Sequence, residues 1–202
     1  LSDVCNAVDD GNIAMITLLD VSAAFDTVDH DILLNRLKSS YGIDGSALDW
    51  FSSYLSSRTQ TVMVGVNGSD VASSELIRGV PQWSVLGPLL YVLYTADIIK
   101  VVEDTGLQCH LYADDIQLYG SCSVKSFDDL QHKVSTSIDT VANWMSANKL
   151  ALNVSKTQHI WLGTPLRLNL LNNFTSSVND LGVMLDSRLS MEDHVKNICR
   201  KC

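Results

Sequence analysis

Two adjacent carboxylates, Asp114 and Asp115, interrupt an apolar stretch of the sequence at residues 109–119. The apolar residues on either side predict two short β-strands that fold back on each other about a turn at Ala113 and Asp114. Neighbouring ionised carboxylates repel each other and prefer water, so a turn that carries both beside a hydrophobic sheet costs energy unless a cation neutralises them. The pair therefore indicates either a metal site or an ordinary solvated turn.

A third carboxylate, Asp20, directly follows a second apolar strand that is predicted at residues 15–19. If the end of this strand lies beside the hairpin, Asp20 comes close enough to Asp114 for both to contact one ion. Carboxylates that converge from two strand ends suit Mg²⁺, which binds a few carboxylates together with substrate phosphates. Phosphoryl transfer is then the natural chemistry of such a site.

Helical signals flank the predicted strands. Thr27 or Asp29 can cap a helix that ends at Gly42, and Ser46 with Asp49 has the pattern of a capping box for a second helix ending near residue 58. Apolar periodicity predicts further helices over residues 89–102, 126–145 and 191–202.

More strands are predicted between these helices. Asn67-Gly68 indicates a hairpin between strands near residues 62–66 and 71–77. Residues 150–162 and 181–185 have the pattern of further strands. Together the elements predict an α+β fold, a small and mostly antiparallel sheet backed by helices on one face.

The composition narrows the class of protein. The chain has 202 residues, of which 46% are hydrophobic, and its formal net charge is −9. This charge has the wrong sign for a self-sufficient nucleic-acid binder, because affinity for phosphates comes from Lys and Arg.

Five cysteines without a repeated spacing predict reduced thiols and an intracellular location. The longest apolar run, residues 85–99, is interrupted by Thr95 and Asp97, so no membrane partner is expected.

Five segments follow one another in a recognisable order: LLDVSAAFD at residues 18–26, GVPQWSVLGP at 79–88, YADD at 112–115, NKLALNVSKT at 148–157 and LGVMLD at 181–186. In that order they resemble motifs A, B, C, D and E of the reverse transcriptases of LINE-type, non-LTR retrotransposons. The YADD tetrapeptide alone would be a weak signal. The ordered set extends over nearly the whole chain and identifies it as a member of that family.

The resemblance implies an RNA-directed DNA polymerase, active in retrotransposition and built on a polymerase palm. It implies that Asp20 and Asp114 share two Mg²⁺ ions, for which Mn²⁺ can substitute, with Asp115 as a third carboxylate. The ions would activate the primer 3′-hydroxyl and hold the triphosphate. Phe25 would lie against the sugar 2′ position and exclude ribonucleotides; the alternative is an ordinary core residue.

Three further residues receive roles from the resemblance. Gln82 would approach the incoming nucleotide or the template, and Arg78 would reach a template phosphate. Lys156 would protonate or pair with the departing pyrophosphate, unless it is a solvated turn lysine. His30, between Asp29 and Asp31, sits in the first turn of a helix, where acidic neighbours favour the helix dipole, so it is interpreted as structural.

The resemblance also implies partners and domain bounds. An RNA template, a DNA primer and dNTPs are expected in the full-length protein, with an endonuclease domain on the same polyprotein. Residues 1–190 are expected to form the palm with part of the fingers, and residues 191–202 to begin a thumb or connection helix. The basic part of the fingers is expected upstream of the chain, which agrees with the acidic balance.

Trp83 departs from the family pattern, in which glycine is expected at this position of motif B. Glycine is used where the backbone approaches a ligand or takes a positive φ, and tryptophan adds a large ring instead. One alternative is therefore a catalytically inactive fragment that acts at most as a protein-binding module. A viral RNA-dependent RNA polymerase is a second alternative, against which Phe25 and Ala113 favour the DNA-making enzyme.

Overall fold

The computed structural model describes residues 2–64, 70–171 and 177–201. Within these ranges the helices are α1 (Ser2–Asp9), α2 (His30–Tyr41), α3 (Ser46–Leu55), α4 (Leu86–Thr95), α5 (Asp97–Glu103), α6 (Phe127–Ala147), α7 (Pro165–Leu168) and α8 (Glu192–Lys201). The strands are β1 (Ile13–Leu19), β2 (Val21–Ser22), β3 (Arg58–Val64), β4 (Asp70–Leu76), β5 (Gln108–Tyr112), β6 (Asp115–Cys122), β7 (Ala151–Leu152), β8 (Gln158–Leu162), β9 (Ser177–Asp180) and β10 (Val183–Asp186). Short 3₁₀ turns are formed by Ala24–Asp26, Val124–Ser126 and Val154–Lys156. This mixture of helices and small antiparallel sheets confirms the α+β prediction.

The chain folds into two compact units. The first comprises Leu1–Ser22, Ile98–Trp144 and Leu152–Cys202, and the second comprises Ala23–Asp97 and Met145–Ala151. The strands that precede Asp20 and flank Asp114 lie in the first unit, and motif B lies in the second with helices α2, α3 and α4.

A four-stranded sheet with the order β5-β6-β1-β8 organises the first unit. β1 runs antiparallel to both of its neighbours, with Leu19 opposite Ile116 on β6 and Ala14 opposite Leu162 on β8. β1 lies inside the sheet, and its side chains are buried on both faces. This explains why its sequence, IAMITLL, is apolar almost throughout. The predicted strand at residues 15–19 and the hairpin at residues 109–119 are both confirmed.

Both faces of this sheet are covered. Ala14 and Ile16 point to one face, where they pack in a cluster with Val4 of α1, Val178 of β9 and Leu185 of β10. Alternation along β1 places Met15 on the other face, level with Gly120 and Trp161. On that face Phe127 of α6 packs against Trp161, with ring centroids 4.7 Å apart. The prediction that helices cover a single face is therefore wrong, because α1 and the β9–β10 hairpin close the second one.

In the second unit, α2 packs against α3 and α4. The Asp29 side chain accepts a hydrogen bond from the Ile32 backbone N–H and caps α2, while Gly42 ends it in the left-handed conformation, as predicted. β3 and β4 form an antiparallel hairpin. The predicted Asn67-Gly68 turn between them lies outside the described residues.

Three predicted elements differ from the structure. The capping box is wrong: Gly45 is the N-cap of α3 without a side-chain cap, and the Asp44 carboxylate accepts from the Gly45 N–H. The predicted helix over residues 89–102 is two helices, α4 and α5, and the Thr95 hydroxyl bonds back to the Tyr91 carbonyl at the end of α4. The predicted strand at residues 150–162 is interrupted by a 3₁₀ turn between β7 and β8.

None of the helices in the described ranges is both long enough and apolar enough to span a membrane.

Candidate active site

A cleft of about 370 Å³ opens at one end of the β1–β6 ladder. Asp20 follows the last residue of β1, and Asp115 is the first residue of β6. Because Leu19 pairs with Ile116, the two carboxylates stand side by side at the rim of the sheet, and both line the cleft. The 3₁₀ turn Val154–Lys156 and the β9–β10 hairpin provide its other walls.

Asp115 is in a strongly acidic environment. Its partial withdrawal from water raises the pKa of its carboxyl group, and the neighbouring charges of Asp114, Asp20 and Asp180 raise this pKa further. These negative charges disfavour the ionised form of Asp115, and a cation bound among them would relieve the repulsion.

Lys156 provides one positive charge at this site. Its ammonium lies 3.3 Å from Oδ2 and 3.5 Å from Oδ1 of Asp20. The Asn153 backbone N–H donates to the Asp20 carbonyl at 2.8 Å, and this bond ties the start of the lysine turn to the end of β1. Lys156 is therefore paired with Asp20 while most of its side chain stays in solvent, and its role toward a leaving group stays a prediction.

Asp114 occupies the turn between β5 and β6. Tyr112 pairs with Asp115, which leaves Ala113 and Asp114 as a two-residue hairpin turn, and Ala113 takes the left-handed conformation with φ +53°. Asp114 is half-buried but is not among the residues that line the cleft. The two strand ends therefore meet as predicted, and of the two hairpin carboxylates Asp115 is the one that lines the cleft beside Asp20.

The carboxylates around the cleft are the candidate ligands of a divalent cation. Within the described ranges, no three His, Cys, Asp or Glu side chains are arranged as a complete metal site. The chemistry of the side chains nevertheless fits one, since Asp20, Asp114 and Asp115 provide only hard oxygen donors. Lys156 already pairs with one of them as a cation.

Two cleft residues were missed by the sequence reasoning. The Gln117 side-chain amide donates to Oδ1 of Asp180 at 2.6 Å, and both residues line the cleft. Burial raises the pKa of Asp180, although the Gln117 hydrogen bond opposes this shift. A signal was present for Gln117, because it follows Asp115 by two positions and strand alternation places both side chains on one face. The position of Asp180, next to the motif E segment, gave no comparable signal.

The second unit contains the residues predicted to contact the nucleotide. Phe25 is half-buried on the Ala24–Asp26 turn and packs against Tyr91 of α4, with ring centroids 4.9 Å apart. Phe25 and Gln82 also line a cavity of about 260 Å³, together with Pro81, Trp83 and Pro88. Phe25 is thus partly a packing residue and partly accessible from this cavity.

The motif B loop is tied to the segment that follows Phe25. The Val80 backbone N–H donates to the Phe25 carbonyl at 2.8 Å, and the Gly79 N–H donates to the Val28 carbonyl at 2.7 Å. The Gly79 carbonyl in turn accepts from the Arg58 guanidinium at 2.7 Å and from His30 Nε2 at 2.9 Å. The hydrogen bond of His30 to the Gly79 carbonyl supports its interpretation as a structural residue.

Arg78 immediately precedes this loop. It forms an isolated antiparallel β-bridge with Asp29, and its side chain is exposed. The side chain is therefore accessible to a polyanion from solvent.

Trp83 has the backbone conformation that glycine is used for. Its φ is +61°, in the left-handed region, and its side chain is fully exposed at 102% relative accessibility. Later in the same loop, Gly87 packs so closely on Pro81 that a Cβ would lie 2.5 Å from the Pro81 carbonyl oxygen. The indole of Trp83 is therefore exposed to solvent, and it is attached to a backbone in a conformation that is strained for a residue other than glycine.

The predicted site residues thus form two sets. Asp20, Asp114, Asp115 and Lys156 are gathered in the first unit. Phe25, Arg78 and Gln82 belong to the second unit, where the loop contacts connect them.

Comparison with known proteins decides the family. Residues 2–185 match the family described as "Reverse transcriptase (RNA-dependent DNA polymerase)". The chain belongs to this reverse transcriptase family. It is 32% identical, over 215 aligned residues, to "Probable RNA-directed DNA polymerase from transposon BS" of Drosophila melanogaster, with 98% of the chain and 23% of that protein covered. It is 33% identical, over 192 residues, to "RNA-directed DNA polymerase from mobile element jockey" of Drosophila funebris, with 89% of the chain and 20% of that protein covered.

These relatives confirm the identification as a LINE-type reverse transcriptase domain. The reverse transcriptase chain spans 23% and 20% of the lengths of the two relatives, so it corresponds to a minor part of each.

Among solved structures, "Structure of apo telomerase from Candida Tropicalis truncated from C-terminal domain" is similar with a TM-score of 0.66 at 14% identity. That similarity covers 95% of this chain and 38% of the telomerase chain. At such low identity it shows a shared fold alone, and it confirms the palm-like α+β architecture.

Proposed function

We propose that this chain is the catalytic core of an RNA-directed DNA polymerase that copies RNA into DNA during retrotransposition. The observation that carries the proposal is the cleft in which the end of β1 places Asp20 beside Asp115 of the YADD turn. Membership of the reverse transcriptase family supports the same conclusion.

Asp20, Asp114 and Asp115 are proposed as the ligands of two Mg²⁺ ions, with Mn²⁺ as a substitute. Reverse transcriptases generally use divalent metals, and the mutual repulsion at Asp115 supports a cation at this position. When bound, the ions would lower the pKa of the primer 3′-hydroxyl and neutralise the triphosphate. The carboxylates of this chain would orient the ions between the two strand ends.

Lys156 is proposed to act on the leaving group. Its ammonium pairs with Asp20 in the absence of substrate. A triphosphate in the cleft would be a stronger anionic partner for this flexible side chain, which can turn from the carboxylate to the phosphate. There it would pair with, and donate a proton to, the departing pyrophosphate.

The second unit is proposed to select and orient the substrates. Phe25 would contact the sugar 2′ position, and Gln82 would approach the incoming nucleotide or the template from the same cavity. Arg78, with its exposed side chain, would contact a template phosphate.

The full-length protein is proposed to work with an RNA template, a DNA primer and dNTPs, and to carry an endonuclease domain on the same polyprotein. Within the chain, residues 1–190 would form the palm with part of the fingers. Residues 191–202 would begin the thumb or a connection helix.

A second candidate is a catalytically inactive chain. The observation that favours it is Trp83, which places an indole and a strained backbone in the loop beside Gln82. In this case the fold would be retained without nucleotide incorporation.

Extension of a primed RNA template by the full-length protein that carries this chain tests the proposal. Extension should be measured for four forms, the parent, Asp20→Asn, Asp114→Asn and the surface control Asp139→Asn. Each form should be made both with Trp83 and with Trp83→Gly. We expect Asp20→Asn and Asp114→Asn to abolish extension, with Asp139→Asn unchanged. Extension that survives in the Asp114→Asn variant would overturn the proposal. Absence of extension from every form, including Trp83→Gly, would favour the inactive chain.

A further inference from the structure

Asp26 holds the side chain of Gln82 by two hydrogen bonds. The Gln82 amide nitrogen Nε2 lies 2.8 Å from Oδ1 and 3.0 Å from Oδ2 of the Asp26 carboxylate. Asp26 immediately follows Phe25, so the residue beside the proposed nucleotide gate also engages the motif B loop. Asp26 received no role in the sequence reasoning.

The chemistry of this pair decides which way the amide faces. A carboxylate accepts hydrogen bonds and offers no proton, whereas a glutamine amide donates from nitrogen and accepts at oxygen. The nitrogen must therefore face Asp26, and the carbonyl oxygen Oε1 must face away from it. Gln82 is exposed, and without a partner its amide would rotate among several orientations.

The backbone brings the two side chains together independently of their own hydrogen bonds. The bond from the Val80 N–H to the Phe25 carbonyl fixes the start of the loop against the Ala24–Asp26 turn. Gly79 packs so closely there that a Cβ would lie 2.9 Å from the Asp26 carbonyl oxygen. Because the approach is already made, the side-chain bonds act mainly on the orientation of the Gln82 amide.

We propose that Asp26 is a positioning residue that makes Gln82 a hydrogen-bond acceptor toward the nucleotide cavity. Gln82 lines that cavity with Phe25, while Asp26 is not among its lining residues, so Asp26 acts through Gln82. The ligand group recognised in this way carries a proton, as an N–H of a base or an O–H of a sugar does. The inference rests on the proposed function, since it assigns the cavity to a nucleotide.

Nucleotide binding to the 202-residue chain tests the coupling between the two residues. Calorimetric titration with a dNTP and Mn²⁺ should be made for the parent, Asp26→Asn, Gln82→Ala, the double variant and Trp83→Gly. Asp31→Asn is the matched control, since it makes the same change at an exposed position on α2. A hydrogen bond to a charged group that fixes a ligand contact is worth about tenfold in affinity when it is lost.

We expect Asp26→Asn and Gln82→Ala each to weaken dNTP binding by about tenfold, and the double variant to be no weaker than Gln82→Ala alone. Asp31→Asn should bind as the parent does. Multiplicative losses in the double variant would overturn the inference, because Asp26 would then act independently of Gln82. Binding by the parent with no effect of Asp26→Asn would also overturn it while leaving the proposed function standing. Absence of nucleotide binding in every form, Trp83→Gly included, would count against both.

A second readout reports on the amide itself. In the ¹⁵N-labelled chain, the Gln82 side-chain amide signals are assigned by their loss in Gln82→Ala. We expect Asp26→Asn to shift these signals and to accelerate their proton exchange severalfold, with Asp31→Asn leaving them unchanged. Gln82 amide signals that are the same in the parent and in Asp26→Asn would show that the carboxylate does not hold the side chain, and would overturn the inference without reference to catalysis.

Discussion

The ammonium of Lys156 lies 3.3 Å from Oδ2 of Asp20, so a residue of motif D neutralises the carboxylate that ends β1. Both side chains line the cleft that also contains Asp115. A divalent cation that binds Asp20 must compete with this ammonium. The pair therefore links the occupancy of the metal site to the position of the proposed leaving-group lysine.

Replacement of Lys156 by Gln should strengthen divalent-metal binding. An exposed ion pair contributes at most about 1 kcal/mol, so we expect about a two- to fivefold gain in affinity when the competitor is removed. Calorimetric titration of the chain with Mn²⁺ measures it. Lys125→Gln, at the exposed position of the Val124–Ser126 turn, is the control and should leave the affinity unchanged. Weaker Mn²⁺ binding in Lys156→Gln would show that the lysine does not compete with the metal.

Trp83→Gly should raise polymerase activity with a small effect on stability. A left-handed backbone costs a non-glycine residue about 1–2 kcal/mol, and the greater freedom of glycine in the unfolded chain offsets about 0.4–1 kcal/mol of the gain. Displacing Gln82 by about an ångström can reduce the rate on the order of a hundredfold, so activity should rise by up to this factor. Primer extension and thermal melting measure the two effects.

Trp83→Ala separates the ring from the backbone. It removes the indole but keeps a Cβ at φ +61°. We expect Trp83→Ala to recover less activity than Trp83→Gly. Equal extension by the parent, Ala and Gly forms would mean that the departure from glycine is harmless.

Phe25→Val should change the selectivity between deoxyribonucleotides and ribonucleotides. The smaller side chain would remove the clash with the 2′-hydroxyl, so kcat/KM for ribonucleotides should rise relative to that for deoxyribonucleotides. Loss of the contact with Tyr91 should also cost about 1 kcal/mol of stability. Phe51→Val is a matched control, because Phe51 is half-buried in α3 and packs against Trp50 at 5.2 Å. If the ratio of the two kcat/KM values is the same in Phe25→Val as in the parent, Phe25 is only a packing residue.

Asp186→Asn should destabilise the chain at neutral pH and lose this effect in acid. Asp186 is buried, with 7% of its surface exposed, and accepts hydrogen bonds from the backbone N–H groups of Arg188, Ser190 and Met191. Desolvation alone would raise the pKa of Asp186, but the hydrogen bonds outweigh it and lower this pKa. The bonds to the charged form contribute about 1.5–3 kcal/mol.

The direction of the pH dependence follows from the lowered pKa. Stability from the Asp186 carboxylate is fully present above its unfolded pKa of about 3.9 and disappears as the pH falls through the lower folded value. Denaturant unfolding at pH 7 and near pH 3 should show the parent and Asp186→Asn converging in acid. Asp139→Asn, at an exposed position of α6, should stay within about 0.5 kcal/mol of the parent throughout. A constant difference between the parent and Asp186→Asn at both pH values would contradict this account.

Local sequence patterns predicted the elements that carry the site. The apolar run before Asp20 forms β1, and the run around the YADD tetrapeptide forms the β5–β6 hairpin with the turn at Ala113 and Asp114. The Asp29 cap of α2 follows from neighbouring residues in the same way. Such features depend on contacts within a few positions of the chain, which is why periodicity and capping rules found them. The capping box at Ser46 failed because Asp44 and Gly45 provided a different local solution.

The sequence by itself determined the order of the motifs, the chemical types of the candidate ligands and the positions of the strands that carry them. The tertiary structure decided which of these groups meet. The strand order β5-β6-β1-β8 places Asp20 beside Asp115, and the packing of the β9–β10 hairpin over the sheet brings Asp180 into the same cleft. The bonds from Asp26 to Gln82 likewise depend on a loop held against a distant turn. Hydrophobic patterning specifies which side of each element is buried, whereas the choice among possible neighbours depends on the packing of the whole core, so contacts between distant polar side chains are not encoded in any local window of the sequence.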